Sequence, residues 1–241
     1  MPPVVQVHAP VRRLQPELLD KLPAGDPRAI RGRRDLRRVN TWMGNAQILA
    51  DAIRRGCVGS GVCRLADIGA GDGTLLLEVA RRLAKSAVTV EAKLVDQQNL
   101  LESAIAAEFR RFGWQVEAVE SNVFTWLADA APVDVLSANL FLHHFDETTL
   151  QRLFDQAARV TKKLVACEPR RFAFPRLCGL LLRVIGCGTV AWHDGVLSVQ
   201  AGFTGQELSA LWPAGSGWQL GERNAGLFSH LFTATRRRQF R

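Results

Sequence analysis

The sequence predicts an α/β protein, a doubly wound and mostly parallel seven-stranded sheet finished by an antiparallel C-terminal hairpin. Two observations carry this. Between residues 65 and 168, five short apolar runs alternate with amphipathic helical stretches, which is the rhythm of right-handed βαβ units. Near the end, residues 218–223 and 228–234 alternate in polarity across the short link Asn224-Ala225-Gly226-Leu227, too short for a parallel crossover. At 241 residues, 47% hydrophobic and 22% charged, the chain can bury one substantial core.

The elements follow in order. Residues 1–34 hold six of the ten prolines and most of the early arginine, and read as an extended or loosely helical arm. From Asp35, apolar residues recur at three- and four-residue steps (Leu36, Val39, Met43, Ala46, Leu49, Ala50, Ile53), predicting one helix closed by Gly56 and Gly59-Ser60-Gly61. The opening strand Leu65-Ala66-Asp67-Ile68 runs into Gly69-Ala70-Gly71-Asp72-Gly73 and a helix at 74–85. Strands at 88–96, 116–119, 133–140 and 163–168 are separated by helices at 98–112, 124–130 and 147–161, the last N-capped by Asp146. Residues 1–60 are expected as a basic arm and helix, and 61–241 as the main domain.

The rhythm breaks after Glu168-Pro169. Residues 170–202 form an insertion before the capping box Thr204-Gly205-Gln206-Glu207. Its stretch from Leu177 to Trp192 is apolar but interrupted by Arg183, too short for a membrane span. It reads as a helical lid over a pocket, or as an extra packing helix.

Charge is uneven. Residues 1–38 carry nine basic and four acidic groups, and Arg236, Arg237, Arg238 and Arg241 crowd the last six positions, so the formal +8 belongs to the two ends. Such ends suit a solubilising role or contact with nucleic acid, although no RNA-binding motif accompanies them. The start, Met1-Pro2-Pro3-Val4, lacks the n-region and h-region of a signal peptide. None of the five cysteines forms a Cys-x-x-Cys pair. Reduced thiols and a cytoplasmic location are the expectation.

The chemistry concentrates at the first strand end. Glycine is needed where backbone takes a positive φ or touches a ligand, and the free N–H groups opening the next helix favour polar or anionic groups. A plain βα turn is the simpler reading of a Gly-x-Gly. Asp67 before it and a third glycine at Gly73 favour a nucleotide-like cofactor loop.

Asp67-x-Gly69-x-Gly71-x-Gly73 resembles the first motif of the class I, Rossmann-like S-adenosylmethionine (SAM)-dependent methyltransferases, and the order of motifs over residues 40–235 is similar to that family. A dinucleotide site would instead want Gly-x-Gly-x-x-Gly. The resemblance implies SAM as cofactor, with S-adenosylhomocysteine (SAH) as product. It puts Asp67, Gly69, Ala70, Gly71 and Gly73 in the methionine-side cradle, Asp96 on the ribose hydroxyls and Gln97 beside the adenine. Asn122 and Val123 fall where the family often has an acid near the adenine amino group, and Asn139 and Leu140 face the reacting methyl.

The acceptor is less defined. Leu142-His143-His144-Phe145-Asp146 resembles a Leu-His-His segment of the family, and one of its histidines, or His193 beside Asp194, could serve as a base for an oxygen acceptor. A structural role for each is the alternative. No metal site is expected, since adjacent histidines lack a third ligand at fixed spacing. The segment Asn139-Leu140-Phe141-Leu142 lacks the Asn/Asp-Pro-Pro-aromatic pattern that the resemblance requires for nucleobase amines. The apolar insertion (Phe172, Phe174, Leu177, Leu180, Leu181, Leu182, Val184, Ile185, Trp192) points to a small hydrophobic or aromatic acceptor, with O-methylation favoured over C- or N-methylation. The alternatives are an RNA methyltransferase using the basic ends and a non-catalytic SAM-binding module.

Overall fold

A computed structural model describes residues 11–57, 61–84, 89–172, 175–215 and 217–237, with backbone alone for 175–177. Expectations for the first ten residues, Gly59-Ser60, Phe174, Arg238 and Arg241 fall outside the described residues.

Strands β1 (Val62–Ile68), β2 (Thr89–Asp96), β3 (Trp114–Glu120), β4 (Val133–Asn139), β5 (Thr161–Pro169), β6 (Trp218–Ala225) and β7 (Ser229–Arg236) form one sheet in the order β3-β2-β1-β4-β5-β7-β6. The first five are parallel. β7 inserts antiparallel between β5 and β6, as the hairpin predicted. The order reverses between β1 and β4, which opens a crevice at their carboxyl ends where such sheets bind ligands.

The strands are apolar on both faces because helices cover both. Alternate residues of one strand go to opposite cores. Leu65, Val135, Val165 and Cys167 meet α3 (Asn45–Arg54), α4 (Thr74–Leu83) and α5 (Ser103–Arg111). Ala66, Leu136, Leu164 and Ala166 meet α6 (Val123–Asp129) and α7 (Glu147–Val160). Asp146 caps α7 through Thr149 N–H at 2.7 Å. Gly73, at φ +76°, puts its missing Cβ against Leu94 and Leu101, so it serves the packing of α4 rather than the crevice.

The N-terminal segment departs most from expectation. It holds a turn of helix, α1 (Leu18–Lys21), and a long helix, α2 (Pro27–Met43), that begins eight residues before Asp35. Asp26 caps α2 through Arg28 N–H at 2.8 Å with Pro27 at its first position, a start signal hidden among the prolines. The single helix predicted across 35–53 is two, because Gly44 takes φ +71° between α2 and α3.

The insertion is two helices, α8 (Pro175–Val184) and α9 (Thr189–Ala201), divided at Gly186 with φ +81°. These back the N-terminal segment. Asp194, on α9, accepts the N–H groups of Leu18 and Leu19 at 2.8 and 3.0 Å. Asp35, 1% exposed, accepts Gly188 N–H at 2.8 Å and pairs with Arg38. Leu182, Cys187 and Ala191 pack with Val39 in a small separate core, while Leu180 and Val184 face solvent. The basic arm is therefore folded in. Arg12 donates to the carbonyls of Ala201, His143 and Phe145 and lies over the ring of Phe203.

Cys57 and Cys63 are disulfide-bonded, with Cα atoms 5.4 Å apart, which corrects the expectation of five free thiols. The turn through Gly56 returns the chain to β1 and brings the pair within bridging range. Cys167, Cys178 and Cys187 are free and buried. No helix among the described residues is long and apolar enough to cross a membrane.

Asp194→Ala should remove two charge-assisted bonds to α1 and cost about 1–2 kcal/mol, the usual range for a lost cap. The expected readouts are a lower denaturant midpoint and faster proteolysis between residues 11 and 26.

Candidate active site

A cavity of ≈ 410 Å³ opens at the β1/β4 switch point. Its floor is the glycine loop. Gly69 and Gly71 take φ +67° and +57°, which only glycine adopts without strain. The amides of Gly69 and Ala70 both donate to Val95 O, at 2.9 and 3.3 Å, and Gly71 N–H donates to the carboxylate of Asp96 at 2.9 Å. An added Cβ at Gly71 would meet open space, whereas at Gly69 it would fall 2.3 Å from the Phe141 ring. The loop is thus open at Gly71 and pressed by an aromatic ring at Gly69.

Asp67, Gly69, Ala70, Gly71, Asp96, Gln97, Asn122, Val123, Asn139 and Leu140 all line this cavity; Gly73 alone of the expected cofactor residues does not. Asp67 is 5% exposed and accepts a hydrogen bond from Ser137 Oγ at 2.6 Å. Burial, with repulsion from Asp96, pushes its carboxyl up to about 7 despite that bond. Asn122 is also the N-cap of α6, its Oδ1 accepting Phe124 N–H at 2.9 Å. Leu140 sits at φ 50°, rare for a branched side chain, held by a bond from its N–H to Cys167 O.

The residues present fit the cofactor that the motif implies. Asp96 offers two carboxylate oxygens to a vicinal diol. Asn139 donates its amide to Asn40 Oδ1 at 3.0 Å and leaves its own Oδ1 buried without a partner, an acceptor suited to an ammonium group.

The three candidate bases separate. His143 is 2% exposed and lies behind the cavity wall, with Nδ1 2.9 Å from Glu168 and Nε2 3.3 Å from Glu17. Burial opposes its charge, but the two carboxylates win and raise its pKa to about 9. A cationic imidazole bonded through both nitrogens cannot take a proton from an acceptor. His193 pairs with Asp194 at 3.0 Å away from the cavity, and that carboxylate is occupied with α1. Only His144 lines the cavity, with Nδ1 3.1 Å from Asp20.

The sequence reading missed the contributors from the N-terminal segment. Glu17, Leu19, Asp20, Arg33, Leu36, Arg37 and Asn40 close the cavity from above, and among the described residues the insertion reaches it only through Ser198. Residues 33, 36, 37 and 40 share one helical stripe, a signal present in the sequence but obscured by starting the helix at Asp35. Ser137 and Glu168, both buried polar residues in strands, were likewise legible only as strand residues. The aromatic wall is Phe141 and Phe145, packed edge to face at 5.1 Å.

Two outcomes follow. Gly69→Ala should overlap Phe141 and strain the loop, costing about 2–4 kcal/mol from the left-handed φ and overpacking together, read in a denaturant titration. The raised pKa of His143 stabilises the fold fully below its ordinary 6.5 and is lost as pH rises through about 9. Melting temperature should therefore fall across that window, and the His143→Gln variant should show a flatter curve there.

Comparison with known proteins agrees with this geometry. Residues 65–163 match a family described as a methyltransferase domain. No curated protein matches the sequence. Among solved structures, the plantazolicin methyltransferase BpumL, in complex with a triazolic desmethylPZN analog and SAH, superposes with TM-score 0.60 at 11% identity, covering 88% of this chain and 92% of that one. An O-methyltransferase family protein from Burkholderia thailandensis gives 0.54 at 19% identity, covering 88% and 61%. The mitomycin 7-O-methyltransferase MmcR gives 0.54 at 17%, covering 91% and 60%. The chain thus spans about three-fifths of the length of these two O-methyltransferases. Taken with the match of residues 65–163 to a methyltransferase domain, the sheet order gives the chain the class I, Rossmann-like methyltransferase fold.

Proposed function

We propose that this methyltransferase methylates a hydroxyl oxygen of a small aromatic or hydrophobic acceptor, with His144 as general base. The observation that carries the reading is that His144 and the glycine loop line one cavity, with His144 Nδ1 held by Asp20 at 3.1 Å. A carboxylate on Nδ1 favours the tautomer whose Nε2 lone pair is free to accept a proton. His144 closes the 3₁₀ turn Leu142–His144 that follows β4, and it lines the same cavity as Leu140, at the strand end that faces the methyl in this family.

SAM when bound supplies an activated methyl on a sulfonium, and the remaining work is alignment. Asp96 and the glycine backbone of the loop orient the donor. Phe141, Phe145, Leu19 and Leu36 supply an apolar wall that suits an aromatic ring and limits water around the acceptor oxygen. His144 removes the hydroxyl proton as the oxygen attacks, and Asp20 stabilises the imidazolium that results. The apolar character credited to the insertion comes instead from the N-terminal segment and the Phe141–Phe145 wall. The insertion acts from behind, through Asp194 and Gly188.

The nucleic-acid alternative rested on free basic ends. Among the described residues, Arg12, Arg28, Arg37 and Arg38 are bonded to carbonyls or carboxylates of the chain itself, and Arg236 donates to Ala158 O and lies over Trp218. The small-acceptor reading has the better support.

The test is transfer of labelled methyl from SAM to a panel of phenols, quinols and tRNA. Labelling of phenolic or quinol hydroxyls is expected, and labelling of tRNA alone would overturn the proposal. His144→Gln should lower kcat by ~10²–10⁴-fold, the usual contribution of a general base, with SAH affinity unchanged. Asp20→Asn should give a smaller loss and shift the basic requirement in the pH–rate profile. Equal activity of His144→Gln and wild type would remove the base.

A further inference from the structure

We propose that Glu17, His143 and His144 form a binding site for a divalent metal ion of the zinc class, and that an ion held there takes His144 out of use as a base. The site itself does not depend on the acceptor. Its effect on transfer rests on the hydroxyl-methylating reading above.

The sequence sets two adjacent histidines after β4 with no third ligand near them along the chain. The fold brings one from 126 positions away. Glu17 occupies the N-cap of α1, yet its side chain makes no capping bond. It turns to His143 instead, with Oε1 3.3 Å from Nε2. Among the described residues, Glu17, His143 and His144 each bring one ligand atom within 4.8 Å of the other two. Two ligand atoms bound at about 2.0–2.2 Å to one tetrahedral ion stand roughly 3.3–3.5 Å apart. The Glu17–His143 spacing, long for a hydrogen bond, therefore suits a shared ion. Two imidazoles and one carboxylate are also a donor set that zinc takes in sites with an open fourth position.

The ligands are themselves held. Metal-bound imidazoles give their other ring nitrogen to a carboxylate or carbonyl, and His143 Nδ1 meets the fully buried Glu168 at 2.9 Å. Glu168 is fixed in turn by the N–H groups of Phe141, Leu142 and His143. Ser198 donates to Glu17, and Asp20 lies 3.1 Å from His144 Nδ1. Glu17 and His144 line the cavity, which gives an ion its path from solvent. In the metal-free site a proton stands between His143 Nε2 and Glu17; the ion replaces it and the proton leaves to water. A neutral imidazole has one ring lone pair. Once His144 gives that pair to the ion, none is left for an acceptor hydroxyl.

Cobalt(II) tests this on the full chain, because tetrahedral coordination gives it strong visible bands. One equivalent of Co²⁺ should produce those bands and Zn²⁺ should bleach them. His144→Gln and Glu17→Gln should each weaken binding by at least about 100-fold, beyond the usual 10- to 100-fold cost of losing an outer partner. His193→Gln, whose ring lies away from the cavity, should change nothing. Calorimetry with SAH confirms that each variant is folded, and His144→Gln remains decisive if Glu17→Gln is not. A wild type without bands, or bands that survive in folded His144→Gln, would overturn the site. Methyl transfer by wild type should fall as Co²⁺ fills the site and return with a chelator. Undiminished transfer at full occupancy would overturn the effect on the base. If the metal-free protein labels no hydroxyl in the panel, the hydroxyl reading fails, while the cobalt spectrum still decides the site.

Discussion

The Phe141–His144 wall of the cavity hangs from one buried carboxylate. Glu168, fully buried at the end of β5, accepts the N–H groups of Phe141, Leu142 and His143 at 3.1, 2.9 and 3.3 Å and holds His143 Nδ1 at 2.9 Å. The segment after β4 has no strand or α-helix to satisfy these amides, so without Glu168 they would be buried and unpaired at a cost of about 1–3 kcal/mol each. With it, the 3₁₀ turn at Leu142–His144 is locked. Phe141 is set against Gly69, and His144 is directed into the cavity. The tight geometry of the glycine loop and the position of His144 thus share one anchor.

That anchor continues into the N-terminal segment. His143 joins Glu168 to Glu17, and Ser198 on α9 also donates to Glu17. Burial works against the charge on Glu17, but the bonds and charges of His143, His144 and Ser198 together outweigh it and keep its carboxyl below the ordinary range. A cation between two carboxylates, out of water, is stable only while all three are present, so truncating any one strands a buried charge. The trio ties three separate parts of the chain, residues 17, 143 and 168, into one wall. A pair of histidines that suggests catalysis on the page divides its labour: His143 builds the wall and His144 faces the cavity.

The N-terminal segment is an integral cover rather than an appendage. Asp194 holds α1, Asp35 holds the α8–α9 turn, Arg37 holds the glycine loop and Asn40 holds β4. The glycine loop and the His144 wall of the cavity are covered by the same stretch of chain. Motion of α1 and α2 would therefore expose both together, while the insertion provides the surface on which that cover rests.

Much of the cofactor half was legible in the sequence for a local reason. A parallel strand buried on both faces is a short apolar run, its carboxyl end is marked by a change to Asp, Asn or Gly, and the loop chemistry lies within a few residues of that mark. Asp67 to Gly71, Asp96, Asn122 and Asn139 could be placed by this reasoning, as could the reversed last strand from its short hairpin link. Gly73 shows the limit of spacing alone, because its close neighbours are side chains from β2 and the segment before α5. What the sequence by itself determined is the sheet, its turns and the edge that carries the cofactor. Which residues cover that edge was decided by tertiary structure. The roles of Asn40, Glu17, Glu168 and the two histidines depend on contacts between residues 26 to 181 positions apart. A buried charge is stable only beside its partner, and no local pattern records where that partner will be.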